Sequence, residues 1–137
     1  DLIFASRIRE AAKRNGVRLE FVKPGPGFAN RLAPAPPEFF IVDLGAKSLD
    51  PFAVINEIRE TPALSGVRVI GFLPHVETGL KKEASEAGYD LVAPRSWMAL
   101  NVEQIFADHA AGKPFPVKGS QSPRFRLRHF PTSESGI

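Results

Sequence analysis

The sequence has no cysteine, which removes disulfides, thiolate nucleophiles and thiolate metal ligands together. That lack agrees with a cytoplasmic setting. No run approaches the ~20 consecutive apolar residues of a membrane-spanning helix, and no secretory leader pattern is present. We therefore expect a cytoplasmic protein with no membrane partner. The histidines, His75, His109 and His129, stand singly, without an acid or second His at ligand spacing. A zinc-type site is not expected. There is no G-x-S-x-G elbow and no Walker loop. GPGFAN follows an apolar run as a dinucleotide loop would, but it lacks the third glycine, and Pro26 removes a backbone donor that a phosphate would need.

What is present suits one domain: 137 residues, 43% of them hydrophobic, enough for a core. The net charge of +3 is unevenly placed. From Lys113 onward there are five Lys or Arg (Lys113, Lys118, Arg124, Arg126, Arg128) against Glu134 alone, so the preceding chain is slightly acidic. We divide the chain into a domain over 1–112 and a basic, poorly ordered tail over 113–137. RFRLRHF, 124–130, alternates basic and apolar residues and suits an edge strand, a nucleic-acid contact or disorder.

Periodicity gives the elements. LIFASRIREAAKRN places Phe4, Ile8, Ala11 and Ala12 at helical spacing, and Asn15-Gly16 ends that helix. VRLEFV, 17–22, alternates as a strand does. The next sixteen residues hold five of the thirteen prolines and leave room for one short helix over 28–32. FFIVDL is a continuous apolar run, expected as a strand buried on both faces. Asp50-Pro51 starts a helix with a capping acid and Pro at its first position, carrying Phe52, Ile55 and Ile58 on one face. VRVIGFL is another buried strand. VETGLKKEASEAG is a helix with Val76, Leu80 and Ala84 inward, closed by Gly88. DLVAP is the last strand. Asn101 and Gln104 form a capping-box pattern ahead of a helix over 102–111, closed by Gly112. This alternation implies a parallel sheet with helices on both faces. A strand ahead of Asp1 would complete five strands.

Three stretches carry a resemblance. Asp1 followed by LIFASRIR, FFIVDLGAKSLDPF, and EAGYDLVAPRS resemble the first helix and its preceding acid, the acceptor strand and loop, and the approach to the last strand of a bacterial response-regulator receiver domain, over about residues 1–111. The resemblance implies a CheY-like, flavodoxin-like α/β domain with sheet order 2-1-3-4-5, its first strand truncated or absent from this chain. With that strand missing, its two neighbours are expected to leave exposed core or to form a swapped dimer. The resemblance also implies a phosphorelay signalling module rather than a turnover enzyme. Asp43 would accept a phosphoryl group from a histidine kinase. Mg²⁺ would be held by Asp1, Asp43 and the backbone carbonyl of Gly45, an acid set that suits this ion. Arg95 stands where the family has the charge-neutralising Lys, followed by Ser96 rather than Pro. Leu73, or Pro74, stands at the hydroxyl position, and Val92 at the aromatic switch. Arg keeps the charge but differs in shape, and Leu, Pro and Val side chains cannot hydrogen-bond a phosphoryl oxygen. This is the profile of an atypical receiver.

Two alternatives stay open: a pseudo-receiver that binds a protein partner without phosphorylation, and a nucleic-acid-associated protein acting through its basic tail. Asp43 could also be a plain strand end, and Asp50 is explained by its cap alone. Trp97 and Met98 are packing residues of the last helix or, on a face where receivers often pair, part of a homodimer interface.

Overall fold

The computed structural model describes residues 2–115 apart from Pro24, Pro26 and Val76. Within them the apolar runs become four strands and the amphipathic segments become helices around them. The order is α1 (Leu2–Arg14), β1 (Leu19–Phe21), α2 (Phe28–Leu32), β2 (Phe39–Asp43), α3 (Pro51–Glu60), a 3-10 turn (Pro62–Leu64), β3 (Arg68–Leu73), α4 (Thr78–Ala87), β4 (Leu91–Pro94) and α5 (Arg95–Ala110). The sheet runs β1-β2-β3-β4 and every pairing is parallel. The α/β doubly wound class is therefore as the sequence implies.

The strand expected to be missing leaves no gap. Leu19 pairs directly with Phe39, and Phe21 with Ile41. Phe39, Phe40, Ile41 and Val42 are each at most 1% exposed. The exposed core expected there is not found, for a plain reason. An unpaired edge on β2 would strand its backbone donors and acceptors beside an apolar strand, and β1 closes onto that edge. β1 is shorter than its sequence pattern, although Val17 and Val22 on either side are buried.

Alternate residues of each strand serve opposite layers. Phe40, Val42, Val69, Leu73 and Val92 face α2, α3 and α4. Phe39, Ile41, Ile70, Phe72 and Ala93 face α1 and α5. Tilted and edge-on ring pairs join the layers to the sheet: Phe28 with Phe40, Phe39 with Phe106, and Phe4 with Phe72 at 4.7 Å. α1 is tied to α5 by Arg14 and Asn15, which both donate to Glu103. The bond from Arg14 holds the Glu103 carboxyl below the usual range for glutamate.

Two helix expectations need correction. α3 buries Val54 with Ile55 and Ile58, whereas Phe52 is half-buried. α5 begins at Arg95, directly after Pro94, so Asn101 is no N-cap. It lies buried in mid-helix, and its Nδ2 donates to the Trp97 carbonyl at 2.9 Å. The segment from Arg95 to Leu100 contains no helix breaker, so the helix propagates back to Pro94 past the capping pattern. Trp97 and Met98 are 4% and 0% exposed, which makes them core packing and not an interface.

The packed chain continues to Phe115, whose ring centroid lies 6.0 Å from that of Phe39, with the Arg68 guanidinium over the Phe115 ring at 5.1 Å. The expectations for residues 116–137, RFRLRHF included, lie outside the described residues, as does Asp1. Among the described residues no helix is long and apolar enough to cross a membrane.

At the N-terminal end of the sheet, one arginine gathers the connections. Arg59 donates to the carbonyls of Ser65, Val67 and Gly88 and to Asp90 Oδ2 at 2.9 Å. The same carboxylate oxygen accepts the Val69 backbone N–H at 2.7 Å. The α3–β3 and α4–β4 connections are thereby bound to each other.

Candidate functional site

Asp43 is the last residue of β2, at the end of the sheet where ligands bind in doubly wound folds. Its neighbour on β3 is Phe72. Pairing with β3 outlasts the strand by one residue, since the Leu44 N–H donates to the Phe72 carbonyl at 3.0 Å. The chain then turns. Asp43 Oδ1 accepts the Gly45 N–H at 2.9 Å, and the Asp43 carbonyl accepts the Ala46 N–H. One carboxylate oxygen is thus fixed by the loop that follows it. The half-buried Asp43 makes no ion pair among the described residues.

Two close approaches shape this loop. Leu44, 5% exposed, folds over β3 at Gly71. A Cβ on Gly71 would sit 2.8 Å from Leu44 Cδ1 and 2.9 Å from its Cγ. Gly45 backs onto Pro74, where a Cβ would meet the ring Cδ at 3.2 Å. Further along, Asp50 Oδ1 accepts from the N–H groups of Phe52 and Ala53, which confirms the capping role read from Asp50-Pro51. The Tyr89 hydroxyl donates to the Pro51 carbonyl at 2.8 Å and fixes the start of α3. Burial pushes that phenol's pKa up, and the Asp50 charge adds to the rise.

The other residues singled out in the sequence gather only in part. Arg95 opens α5 at the same end of the sheet. Its guanidinium lies over the rings of Phe4 and Phe72, 5.5 and 5.6 Å from their centroids, and does not pair with Asp43. Its Nε is buried and has no hydrogen-bond partner. Leu73 and Val92, 1% and 2% exposed, both belong to the layer under α3 and α4, so the hydroxyl and ring positions are core residues here. His75 is exposed just beyond β3. Among the described residues no group of three or more His, Cys, Asp or Glu could hold a metal ion. Of the residues named for Mg²⁺, Asp43 and Gly45 are described, joined by the bond from the Gly45 N–H to Asp43 Oδ1. That combination fits an ion which takes one or two carboxylates and keeps its waters.

Sequence reasoning passed over Gly71, although an isolated glycine inside a strand pattern signals a close approach. It also passed over Arg59 and Asp90, for which no local motif exists.

No protein-family model and no curated protein matches the chain. Solved structures do. A response regulator from Hahella chejuensis is 21% identical with a TM-score of 0.65, over 79% of this chain and 87% of that one. A response regulator from Burkholderia pseudomallei, described with a phosphorylated aspartic acid, a calcium ion and citrate, is 19% identical with a TM-score of 0.55, over 85% of this chain and 72% of its own. At such identities the likeness concerns the fold alone: the fold of this chain is similar to that of these two response regulators.

Proposed function

We propose that this chain is a receiver-type signalling module, not a turnover enzyme, and that Asp43 is its phosphoacceptor. The observation that carries the proposal is the carboxylate's setting. It stands at the C-terminal tip of an interior strand, with one oxygen held by the Gly45 N–H and the other without a hydrogen-bond partner among the described residues. In the transfer, that oxygen attacks phosphorus as the bond to a donor leaves. With a phosphohistidine kinase the P–N bond breaks and its electron pair stays on the imidazole nitrogen. Attack by a carboxylate on a phosphoryl group needs little covalent assistance and much charge neutralisation. Mg²⁺, when bound, would supply that neutralisation, held by Asp43, the Gly45 carbonyl and Asp1.

A second reading is favoured by Leu73, Val92 and Arg95: a pseudo-receiver that docks a protein partner without being phosphorylated. A buried leucine replaces the hydroxyl, and the arginine is spread over two rings rather than aimed at Asp43.

One experiment decides between them. The protein is incubated with Mg²⁺ and acetyl phosphate, and wild type is compared with Asp43→Ala by intact mass. A phosphoryl adduct on wild type that disappears in the variant supports the acceptor role. No adduct on either leaves the pseudo-receiver.

A further inference from the structure

We infer that Gly71 is a positioning residue for Asp43, acting through Leu44; the inference builds on the acceptor reading above. Gly71 lies in the middle of β3, paired with Val42 on one side and Val92 on the other. Strand interiors disfavour glycine, because it has no side chain to pack and loses more backbone entropy than other residues. Here the missing side chain is replaced from the residue just past β2. The Leu44 side chain fills the space above Gly71 so closely that three of its carbons lie 2.8 to 3.0 Å from where a Cβ would be. Leu44 is adjacent to Asp43 on one side and to Gly45 on the other, and Gly45 supplies the N–H that holds Asp43 Oδ1. The carboxylate is therefore located by a chain of fixed contacts that ends on β3: socket, leucine, amide, oxygen. Pro74, directly after the same strand, backs Gly45 and closes the arrangement. In this account the link between the acceptor and β3 is a matter of shape and needs no hydroxyl at Leu73.

The test is Gly71→Ala. Its methyl must evict Leu44, so the Gly45 amide resonance of the folded variant is expected to move in a ¹⁵N–¹H spectrum. The rate of Asp43 labelling by acetyl phosphate is expected to fall on the order of ten- to a hundredfold, as small displacements of reacting groups do. Gly66→Ala, at a position where a Cβ meets nothing within 4 Å, is the control and leaves both unchanged. Adding Leu44→Ala to Gly71→Ala removes the clash and brings the Gly45 resonance back toward its wild-type place. A role confined to stability would lower the unfolding midpoint and leave the Gly45 resonance where it was, and that result overturns the inference. So does a double variant whose Gly45 resonance stays displaced. Should Gly71→Ala fail to fold, the double variant decides: recovery of the fold with Gly45 in place supports the socket, and failure overturns it. If wild type takes no phosphoryl group, the acceptor reading falls while the amide measurement still judges the positioning.

Discussion

The two ends of the sheet are built on opposite principles. At the N-terminal end, Arg59 and Asp90 use their hydrogen-bonding capacity on each other and on the backbone. At the C-terminal end, the Asp43 carboxylate has one bond among the described residues, to its own loop, and Arg95 has a buried Nε with no acceptor. Polar groups satisfied by the protein serve stability, and groups left with capacity are available to a ligand. In open α/β sheets the C-terminal end is also where ligands bind. The difference between the ends is the structural argument for reading Asp43 as a site and Asp90 as a staple.

Substitutions can break that contrast. The largest effect is expected for Asp90→Ala, which orphans the Val69 N–H and takes from the Arg59 guanidinium its carboxylate partner. Charge-assisted bonds of this kind contribute about 1.5–3 kcal/mol, so urea unfolding should show a loss of about 2–3 kcal/mol, whereas Asp43→Ala should lie within about 0.5 kcal/mol of wild type. Equal losses at the two positions would dissolve the distinction. Next comes Gly71→Ala, where overpacking a filled core costs about 1–3 kcal/mol, read from the same unfolding curves. Tyr89→Phe removes the part-buried bond to the Pro51 carbonyl and should cost about 1 kcal/mol, the typical worth of one hydrogen bond.

The smallest effect belongs to Glu103, on the seam between α1 and α5. Its carboxyl is held low by the bond from Arg14, with Asn15 assisting. A depressed carboxylate stabilises the fold above the pKa it has when unfolded, and that contribution is lost as pH falls through the lower, folded value. Acid titration of wild type against Glu103→Gln should therefore show a small extra loss of stability in wild type below the ordinary glutamate range, a few tenths of a kcal/mol because the pair is exposed. A larger difference would mean that the α1–α5 seam rests on this ion pair more than on Ile8, Ala11, Val102 and Ile105.

The fold was readable where local pattern and burial agree. FFIVD and RVIGFL are buried on both faces, so their apolar runs survive as strands, and Asp50-Pro51 caps a helix as its chemistry requires. The sequence misled where a local signal met a stronger neighbour. Asn101 and Gln104 look like a capping box, but Trp97 and Met98 are core residues of a helix already under way. The pairing of β1 with β2 was beyond local reading, because strand adjacency is set by which edges remain unsatisfied. At the site, the position of Asp43 was legible from its place after an apolar run. The rings under Arg95 were not, since Phe4 and Phe72 are distant in sequence and meet only through the packing of α1 on β3.

The direct pairing of β1 with β2 also sets how the sheet opens in time. β1 pairs over three residues, each half-buried, whereas β2 is paired along its whole length with β3. Amide protons exchange through the cheapest opening available to them. The amides that join β1 to β2 can exchange when three residues peel away, while those joining β2 to β3 must wait for a much larger unfolding. The outer edge of this sheet is thus a hinged margin beside a permanent centre, and Asp43 is rooted in the centre.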